Sequence, residues 1–183
     1  NISKRMRKVG IVDFGFNNLN SIYSAIEYLG YNPVIIDKKN TLENFNTLIL
    51  PGVGSYSNAM NFLKKNKLDT SIKNFAKNKK PILGICLGMQ LLFEESEEFG
   101  KYKGLGILKG NIKSLKKIKD NFQVPNIGWH YLKRNRMLNN NKLIKFDKKK
   151  YVYFIHSYFA DPKSEKIISS YIDIKSKKNL CLY

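Results

Sequence analysis

The sequence predicts an α/β fold, in which helices flank a parallel sheet and an antiparallel portion is added to it. Short apolar runs alternate with helix-period segments as far as residue 95, which is the pattern of βαβ units. After Gly100, strand-like runs follow one another without a clear helix between them, as in antiparallel sheets. Ligands of parallel sheets bind beyond the carboxyl ends of the strands, so a site is expected at the turns there.

The predicted elements of the first half follow one another with short connections. Asn18 is a candidate N-cap of the first helix, which Gly30 ends, and Ser55 is a candidate N-cap of the second helix. The predicted strands cover residues 9–13, 33–37, 47–50 and 81–85, and the predicted helices cover residues 19–29, 56–65, 68–78 and 89–95.

The second half is predicted to consist of strands with polar, lysine-rich connections, especially over residues 133–150. Neither an internal repeat nor a linker separates this half from the first, so we predict one domain over residues 1–183. The predicted strands of this half cover residues 106–112, 124–131, 151–158 and 166–174.

The composition is ordinary for a globular protein, with 43% hydrophobic and 26% charged residues among 183. No apolar run approaches the about 18 residues of a membrane-spanning helix, so we expect no membrane association. The net charge of +19 comes from lysines scattered through nearly every segment, without interleaved aromatic residues, so we expect no nucleic-acid partner. Two cysteines make no disulfide framework and the N-terminus has no signal-peptide core, which favours the cytoplasm.

A candidate nucleophile, Cys86, lies between Gly84 and Gly88, where a predicted strand gives way to a predicted helix. A strand, tight turn and helix form a nucleophile elbow, which holds its central residue in a strained turn with the side chain outward. Glycines are needed there because a Cβ would meet neighbouring backbone. The start of a helix favours a thiolate, so we expect a pKa for Cys86 below that of a free cysteine. A structural cysteine in a glycine-containing loop is the alternative interpretation.

Five motifs occur together in this sequence. They are Pro51-Gly52-Val-Gly54-Ser55, Gly84-Ile-Cys86-Leu-Gly88-Met-Gln90, Asp13-Phe-Gly15-Phe-Asn-Asn18-Leu-Asn-Ser21, Pro125-Asn-Ile-Gly128-Trp129 and Tyr153-Phe-Ile-His156-Ser157-Tyr158. The first two resemble the class I, or triad, glutamine amidotransferases, whose domain is flavodoxin-like. The other three resemble more narrowly the glutaminase subunits of imidazole glycerol phosphate synthase, an enzyme of histidine biosynthesis.

The resemblance implies a role for each of several residues and requires no metal or cofactor. Cys86 would attack the side-chain amide of L-glutamine, which releases ammonia and leaves a glutamyl thioester that water hydrolyses. Backbone N–H groups of the turn at Gly52 and Val53 and of Leu87 would form the oxyanion hole. The residues implied to hold the substrate are Gly54, Gln90, Ser157 and Tyr158.

One departure from the family concerns the catalytic base. The family's histidine and glutamate lie in a Gln-Phe-His-Pro-Glu motif, whereas these 183 residues contain no His-x-Glu. Residues 179–183 resemble the strand that leads into that motif, so we expect the C-terminal end to be truncated and the 183 residues alone to be nearly inactive. We also expect an exposed sheet edge and a gap beside the elbow. Of the two histidines, His130 and His156, His156 is a disfavoured substitute base.

The resemblance further implies a heterodimer with a synthase subunit, which in the histidine pathway is a (β/α)8-barrel cyclase. Trp129, flanked by Gly128 and His130, is the candidate anchor of that interface. Two alternatives stay open: ammonia supply to a sugar-modifying synthase of surface-glycan biosynthesis, and an inactive fragment or pseudoenzyme that only docks on its partner. A cysteine hydrolase on a related fold is a weaker alternative, because it leaves residues 51–55 and 128–129 without a role.

Overall fold

A four-stranded parallel sheet forms the centre of the structure. The computed structural model describes residues 7–15, 19–38, 42–118, 123–135, 150–174 and 177–182. The strands lie in the order β2-β1-β3-β4. Apolar residues of the two inner strands, such as Ile11 and Leu48, are fully buried, as expected of strands covered on both faces. The strands are β1 (Lys8–Val12), β2 (Asn32–Ile36), β3 (Thr47–Leu50) and β4 (Ile82–Gly84).

Helices cover both faces of this sheet, which confirms the predicted α/β arrangement. One face packs on the helix that follows β1, through Leu19, Ile22 and Ile26. The other face packs on two consecutive helices within the largest apolar core cluster. The helices are α1 (Leu19–Tyr28), α2 (Tyr56–Lys65), α3 (Leu68–Lys77) and α4 (Leu87–Gln90).

Two details of the first half were predicted wrongly. The helix predicted over residues 89–95 begins earlier and is much shorter, because it covers only Leu87–Gln90 and the chain then turns. Leu91, Leu92 and Phe93 are all buried, whereas a surface helix buries only one face and cannot turn three successive residues inward. The Ser55 side chain makes no capping bond to α2. The other predicted cap, Asn18, lies outside the described residues.

The second half is an assembly of three small sheets. One has the order β11-β7-β5-β6, one is a two-stranded ribbon of β8 and β10, and one has the order β13-β12-β9. Most pairs are antiparallel, as predicted, but β5 and β7 pair in parallel. The strands are β5 (Glu95–Ser96), β6 (Tyr102–Lys103), β7 (Gly110–Ser114), β8 (Asn126–Tyr131), β9 (Lys133–Arg134), β10 (Tyr151–His156), β11 (Tyr158–Pro162), β12 (Ser170–Ile174) and β13 (Lys177–Leu182).

The predicted boundaries in this half need three corrections. The strand predicted over residues 151–158 is divided at Ser157 into β10 and β11, which belong to different sheets. The strand predicted from residue 106 begins at Gly110, and the strand predicted from residue 166 begins at Ser170, after a 3₁₀ turn at Glu165–Ile167. Most of the lysine-rich connection predicted over residues 133–150 lies outside the described residues.

The far edge of the parallel sheet is open in the part of the chain that the structure describes, where β4 pairs only with β3. Leu83 and Ile85 are correspondingly 47% and 40% exposed. An apolar cavity of about 320 Å³ lies between β4 and the strands β10 and β11. The edge and the cavity match the exposed edge and the gap that were expected beside the elbow. Within the described ranges, no helix has the length and apolar character needed to cross a membrane.

Candidate active site

The turn between β4 and α4 is a strained elbow, as its glycines predicted. Cys86 has φ 50° and ψ −113°, a left-handed conformation that side-chain-bearing residues rarely adopt. A Cβ on Gly84 would lie 2.5 Å from Met89 Cα, and a Cβ on Gly88 would overlap the Leu50 carbonyl. Only glycine therefore allows β3, β4 and α4 to approach closely enough to hold Cys86 in this conformation.

A cavity of about 560 Å³ opens in front of the elbow. The turn after β3 reaches it because Gly52 packs directly on Leu87, where an added Cβ would lie 2.7 Å from the Leu87 Cβ. Ser157 and Tyr158, where β10 ends and β11 begins, form the opposite wall. All the site residues named from the sequence line this one cavity, namely Gly52, Val53, Gly54, Cys86, Leu87, Gln90, Ser157 and Tyr158.

The pKa of the Cys86 thiol runs against the sequence-based expectation. Cys86 is exposed at the surface, yet the cavity walls remove much of its hydration. This burial raises its pKa, and the nearby Glu98 carboxylate raises it further, while a hydrogen bond with the Leu87 backbone lowers it. The expected lowering rested on a helix start, but α4 has only four residues and supplies a small dipole.

Gln90 and Tyr158 meet at the back of the cavity. Gln90 is only 9% exposed, so it is not a helix-surface residue, and its side-chain Nε2 donates to the Tyr158 carbonyl at 3.5 Å. The same carbonyl lies 2.9 Å from Nδ1 of His156. Nε2 of His156 lies 3.0 Å from the Asn126 side-chain nitrogen. These four residues form one connected hydrogen-bond network beside the nucleophile.

His156 is not placed to act as a general base. Its Nδ1 donates to a carbonyl, so the ring is the Nδ1–H tautomer, and its Nε2 accepts from the Asn126 amide. Burial lowers the pKa of His156 below its ordinary value, which favours the neutral ring. Both nitrogens are thus engaged, and the imidazole lacks the carboxylate partner that orients a triad histidine.

Sequence reasoning missed several cavity residues, among them Glu98, Phe99 and Lys116. Glu98 caps the start of α2, although it lies 42 residues further along the chain: its carboxylate accepts a hydrogen bond from the Tyr56 backbone N–H at 2.9 Å. Phe99 has φ 52° and packs edge-on against the Tyr158 ring at 6.5 Å. The only available signal was the acidic run at residues 94–98, which carries no catalytic motif. Among the described residues, no group of three His, Cys, Asp or Glu side chains is arranged to hold a metal ion.

Comparison with known proteins identifies the family. The profile described as "Glutamine amidotransferase class-I" matches residues 10–180. The chain belongs to the class I glutamine amidotransferases. This glutamine amidotransferase is similar to "Imidazole glycerol phosphate synthase subunit HisH" of Prochlorococcus marinus subsp. pastoris, with 41% identity over 94% of this chain and 82% of the relative. The subunit of the same name from Cyanophora paradoxa is 44% identical over 89% of this chain and 74% of its own length.

Solved structures agree with the fold of this glutamine amidotransferase. A "Crystal structure of glutamine amidotransferase" superimposes with a TM-score of 0.69 at 17% identity, covering 90% of this chain and 79% of that chain. The "Structure of PurLQS from Thermotoga maritima" superimposes with a TM-score of 0.68 at 20% identity, covering 95% and 77%. At such low identity these two similarities concern the fold alone.

The carboxylate of Glu98 is expected to set part of the acidity of Cys86. Glu98→Gln removes a like charge that disfavours the thiolate but keeps a side-chain oxygen for the Tyr56 N–H. The pKa of Cys86 should therefore fall, and the rate of iodoacetamide alkylation should reach its midpoint at a lower pH than in the wild type.

Glu97→Gln is the matched control, because the Glu97 carboxylate bonds to the Ser114 N–H and to Lys117 and not to α2. Its alkylation profile should coincide with that of the wild type. An unchanged midpoint in Glu98→Gln would contradict the electrostatic account of the thiol.

Proposed function

We propose that the chain is the glutaminase subunit of an imidazole glycerol phosphate synthase, which hydrolyses L-glutamine and passes ammonia to a synthase subunit for histidine biosynthesis. The supporting observation is that the single cavity at the strained elbow collects every residue to which the family resemblance gives a role. The relatives described above, at about 40% identity over most of the chain, point to the same pathway. None of them is a glycan-pathway enzyme, so no observation favours that alternative.

The proposed chemistry is acyl transfer to Cys86. The thiolate attacks Cδ of the glutamine side chain, the C–N bond breaks, and the nitrogen leaves as ammonia after taking up a proton. Water then attacks the glutamyl thioester, which releases glutamate and regenerates the thiol. Leu87 N–H and an N–H of the turn at Gly52 and Val53 are proposed to stabilise the negative oxygen of each tetrahedral intermediate.

The charges of the cavity suit a free amino acid. Glu98 and Lys116 are the acidic and basic side chains of its lining, and a zwitterion presents an ammonium and a carboxylate to such a pair. Glu98 is therefore proposed to bind the α-ammonium group of glutamine, and Lys116 is proposed to attract its carboxylate. The amide end of the substrate then faces Cys86, between Gly54 and Gln90 on one side and Ser157 and Tyr158 on the other.

The ribbon of β8 and β10 is proposed as the surface that docks on the synthase subunit, a (β/α)8 barrel. Large apolar side chains on its outer face are 43–69% exposed, and such a contiguous patch marks an interaction surface. The Trp129 and Tyr153 rings pack edge-on at 5.6 Å, at the centre of the patch. The patch consists of three directly opposed pairs: Ile127 with Ile155, Trp129 with Tyr153, and Tyr131 with Tyr151.

Full turnover is proposed to need a base that these 183 residues lack. No His-x-Glu occurs in them, and both nitrogens of His156 are engaged by Asn126 and Tyr158. The apolar cavity beside the open edge of β4 offers space for a further strand that carries a histidine and a glutamate. A heterodimer located in the cytoplasm, working without a cofactor, completes the proposal.

The proposed nucleophile is tested by selective labelling. The diazoketone analogue of L-glutamine should modify Cys86 well before Cys181, because Cys86 lines the cavity that is proposed to bind glutamine. Peptide mass spectrometry after limited treatment gives the site, and added L-glutamine should protect it. Equal labelling of both cysteines, or labelling that glutamine does not slow, would refute glutamine binding at the elbow.

The proposed docking surface is tested at Trp129. Trp129→Ala should weaken association with the synthase subunit by about 2 kcal/mol, because buried tryptophans dominate such interfaces, while the melting temperature of the isolated chain stays close to that of the wild type. Titration calorimetry measures the affinity. Tyr28→Ala is the control, since Tyr28 is 90% exposed on a different element; equal affinities of the two variants would remove Trp129 from the interface.

The proposed need for a further strand is tested by turnover. A polypeptide of these 183 residues should release ammonia from glutamine at a rate about 10²–10⁴-fold below that of a version extended by a Gln-Phe-His-Pro-Glu segment, because proton transfer to the leaving nitrogen lacks a base. Similar turnover by the two versions, abolished by His156→Ala, would make His156 the base. Similar turnover that survives this substitution would overturn the acid–base argument.

A further inference from the structure

The joint at Ser157 connects two functional surfaces over a very short distance. β10 ends at His156 and β11 begins at Tyr158, so a single residue separates them. β10 pairs with β8 in the ribbon whose outer face is proposed to dock on the synthase subunit, whereas β11 pairs with β7 and reaches the cavity of Cys86. His156, Ser157 and Tyr158 therefore form the direct connection between the ribbon and the cavity wall. The position of the ribbon relative to the wall depends on the contacts that these residues make.

The His156 side chain bridges the two sides of this joint. On the ribbon side, His156 Nε2 accepts from the side-chain nitrogen of Asn126, its register partner on β8, at 3.0 Å. On the cavity side, Nδ1–H donates to the Tyr158 carbonyl at 2.9 Å. The ring also packs against Phe154 at 5.6 Å, and Asn126 is only 8% exposed, so both bonds are shielded from competing water.

The Tyr158 carbonyl carries this connection on to the elbow. It accepts a second hydrogen bond, from Gln90 Nε2 at 3.5 Å, and Gln90 is the last residue of the short helix that begins directly after Cys86. One carbonyl thus receives donors from the elbow helix and from the ribbon. Three consecutive hydrogen bonds therefore connect Asn126 with Gln90 through His156 and the Tyr158 carbonyl.

We propose that His156 is a positioning residue of the glutamine pocket, which holds the Tyr158 carbonyl against Gln90 and ties both to Asn126 of the partner-facing ribbon. This inference rests on the proposed function, since it takes the cavity at Cys86 to bind glutamine. A subunit that seats on the outer face of the ribbon then acts on the pocket through the inner face of the same two strands. His156 makes no contact with the reacting atoms in this role.

Two isosteric variants separate the two hydrogen bonds of His156. His156→Asn keeps an amide donor near the position of Nδ1, toward the Tyr158 carbonyl, and loses the bond to Asn126. His156→Gln places its amide near the position of Nε2, toward Asn126, and loses the bond to Tyr158. For each purified protein, the rate of Cys86 labelling by the diazoketone analogue of glutamine is divided by the rate of labelling by iodoacetamide. Both reagents need the same thiolate, so the ratio reports the pocket alone.

His156→Gln should lower this ratio about three- to tenfold, the effect of one lost hydrogen bond in a binding site. His156→Asn loses only the anchor on β8 and should lower the ratio by a smaller factor, about twofold. The control His130→Asn removes the neighbouring ribbon histidine, which lies outside the network, and should leave the ratio unchanged. A wild-type ratio in His156→Gln, or equal losses in the two His156 variants, would overturn the inference.

Asn126→Ala provides a second test in case His156→Gln does not fold, which thermal unfolding reveals. It removes the same bond to β8 that His156→Asn removes, and it should lower the ratio by a similar factor of about twofold. A wild-type ratio in Asn126→Ala would count against the connection to the ribbon. If the wild-type Cys86 is not labelled by the analogue in a glutamine-protectable way, the proposed function itself fails, an outcome distinct from failure of the His156 variants alone.

Discussion

The approach of the elbow to strand β3 is the contact on which the active site depends. The Ile85 N–H donates to the Leu50 carbonyl at 2.9 Å, and Gly88 lies against the same carbonyl with no room for a Cβ. The end of β3 and the start of α4 are thereby held together, which brings the turn at Gly52 onto Leu87. Because these contacts fix both sides of the turn, the strained conformation of Cys86 persists in the folded protein.

The acidic run at residues 94–98 joins the parallel half to the added sheets. It holds four of the 14 acidic residues of a chain with 33 lysines and arginines, and three of its carboxylates accept backbone N–H groups: Glu94 from Gly110, Glu97 from Ser114 and Glu98 from Tyr56. The ammonium groups of Lys163 and Lys109 both contact the Glu94 carboxylate. Its hydrogen bond with Lys163 is the largest cause, followed by those with the Gly110 N–H and Lys109, of a pKa lowered to about 2. The scarce acids thus serve as backbone caps between elements, whereas most of the lysines belong to solvated surface.

The sequence patterns predicted the elements whose formation depends on residues close together in the chain. The parallel strands and the long helices were predicted within a few residues, because apolar periodicity and glycine turns specify them. The motif residues that line the cavity were predicted because the family motifs place them at fixed positions after strands. The shortness of α4 was not predictable, since the burial of Leu91 and Phe93 depends on elements far along the chain. The cap of α2 was mispredicted for the same reason, as Glu98 lies 42 residues from Tyr56.

Other features depend on the shape of the cavity and could not be derived from composition or spacing. The pKa of Cys86 is raised because the cavity walls bury the thiol. The prediction from the helix start therefore gave the wrong direction for this pKa shift. The break at Ser157 was hidden because strand-like residues continue across it. Glu98 and Phe99 line the cavity only because the turn after β5 folds back over the elbow. Each of these errors concerns contacts between segments that are distant in sequence.

The ribbon of β8 and β10 gives the strictest constraint on how the chain can change. Side chains alternate between the two faces of a strand, so the outward positions carry the exposed aromatic pairs while the inward positions carry Asn126, Phe154 and His156. Both strands thus contribute to the surface patch, and β10 also contributes Ile155 and His156 to the wall of the cavity at Cys86. A shift of the β8–β10 pairing by one residue would exchange the two sets, exposing the network of His156 and burying Trp129. The pairing register is therefore constrained by the requirements of both faces, and the ribbon connects the proposed docking surface with the proposed glutamine pocket.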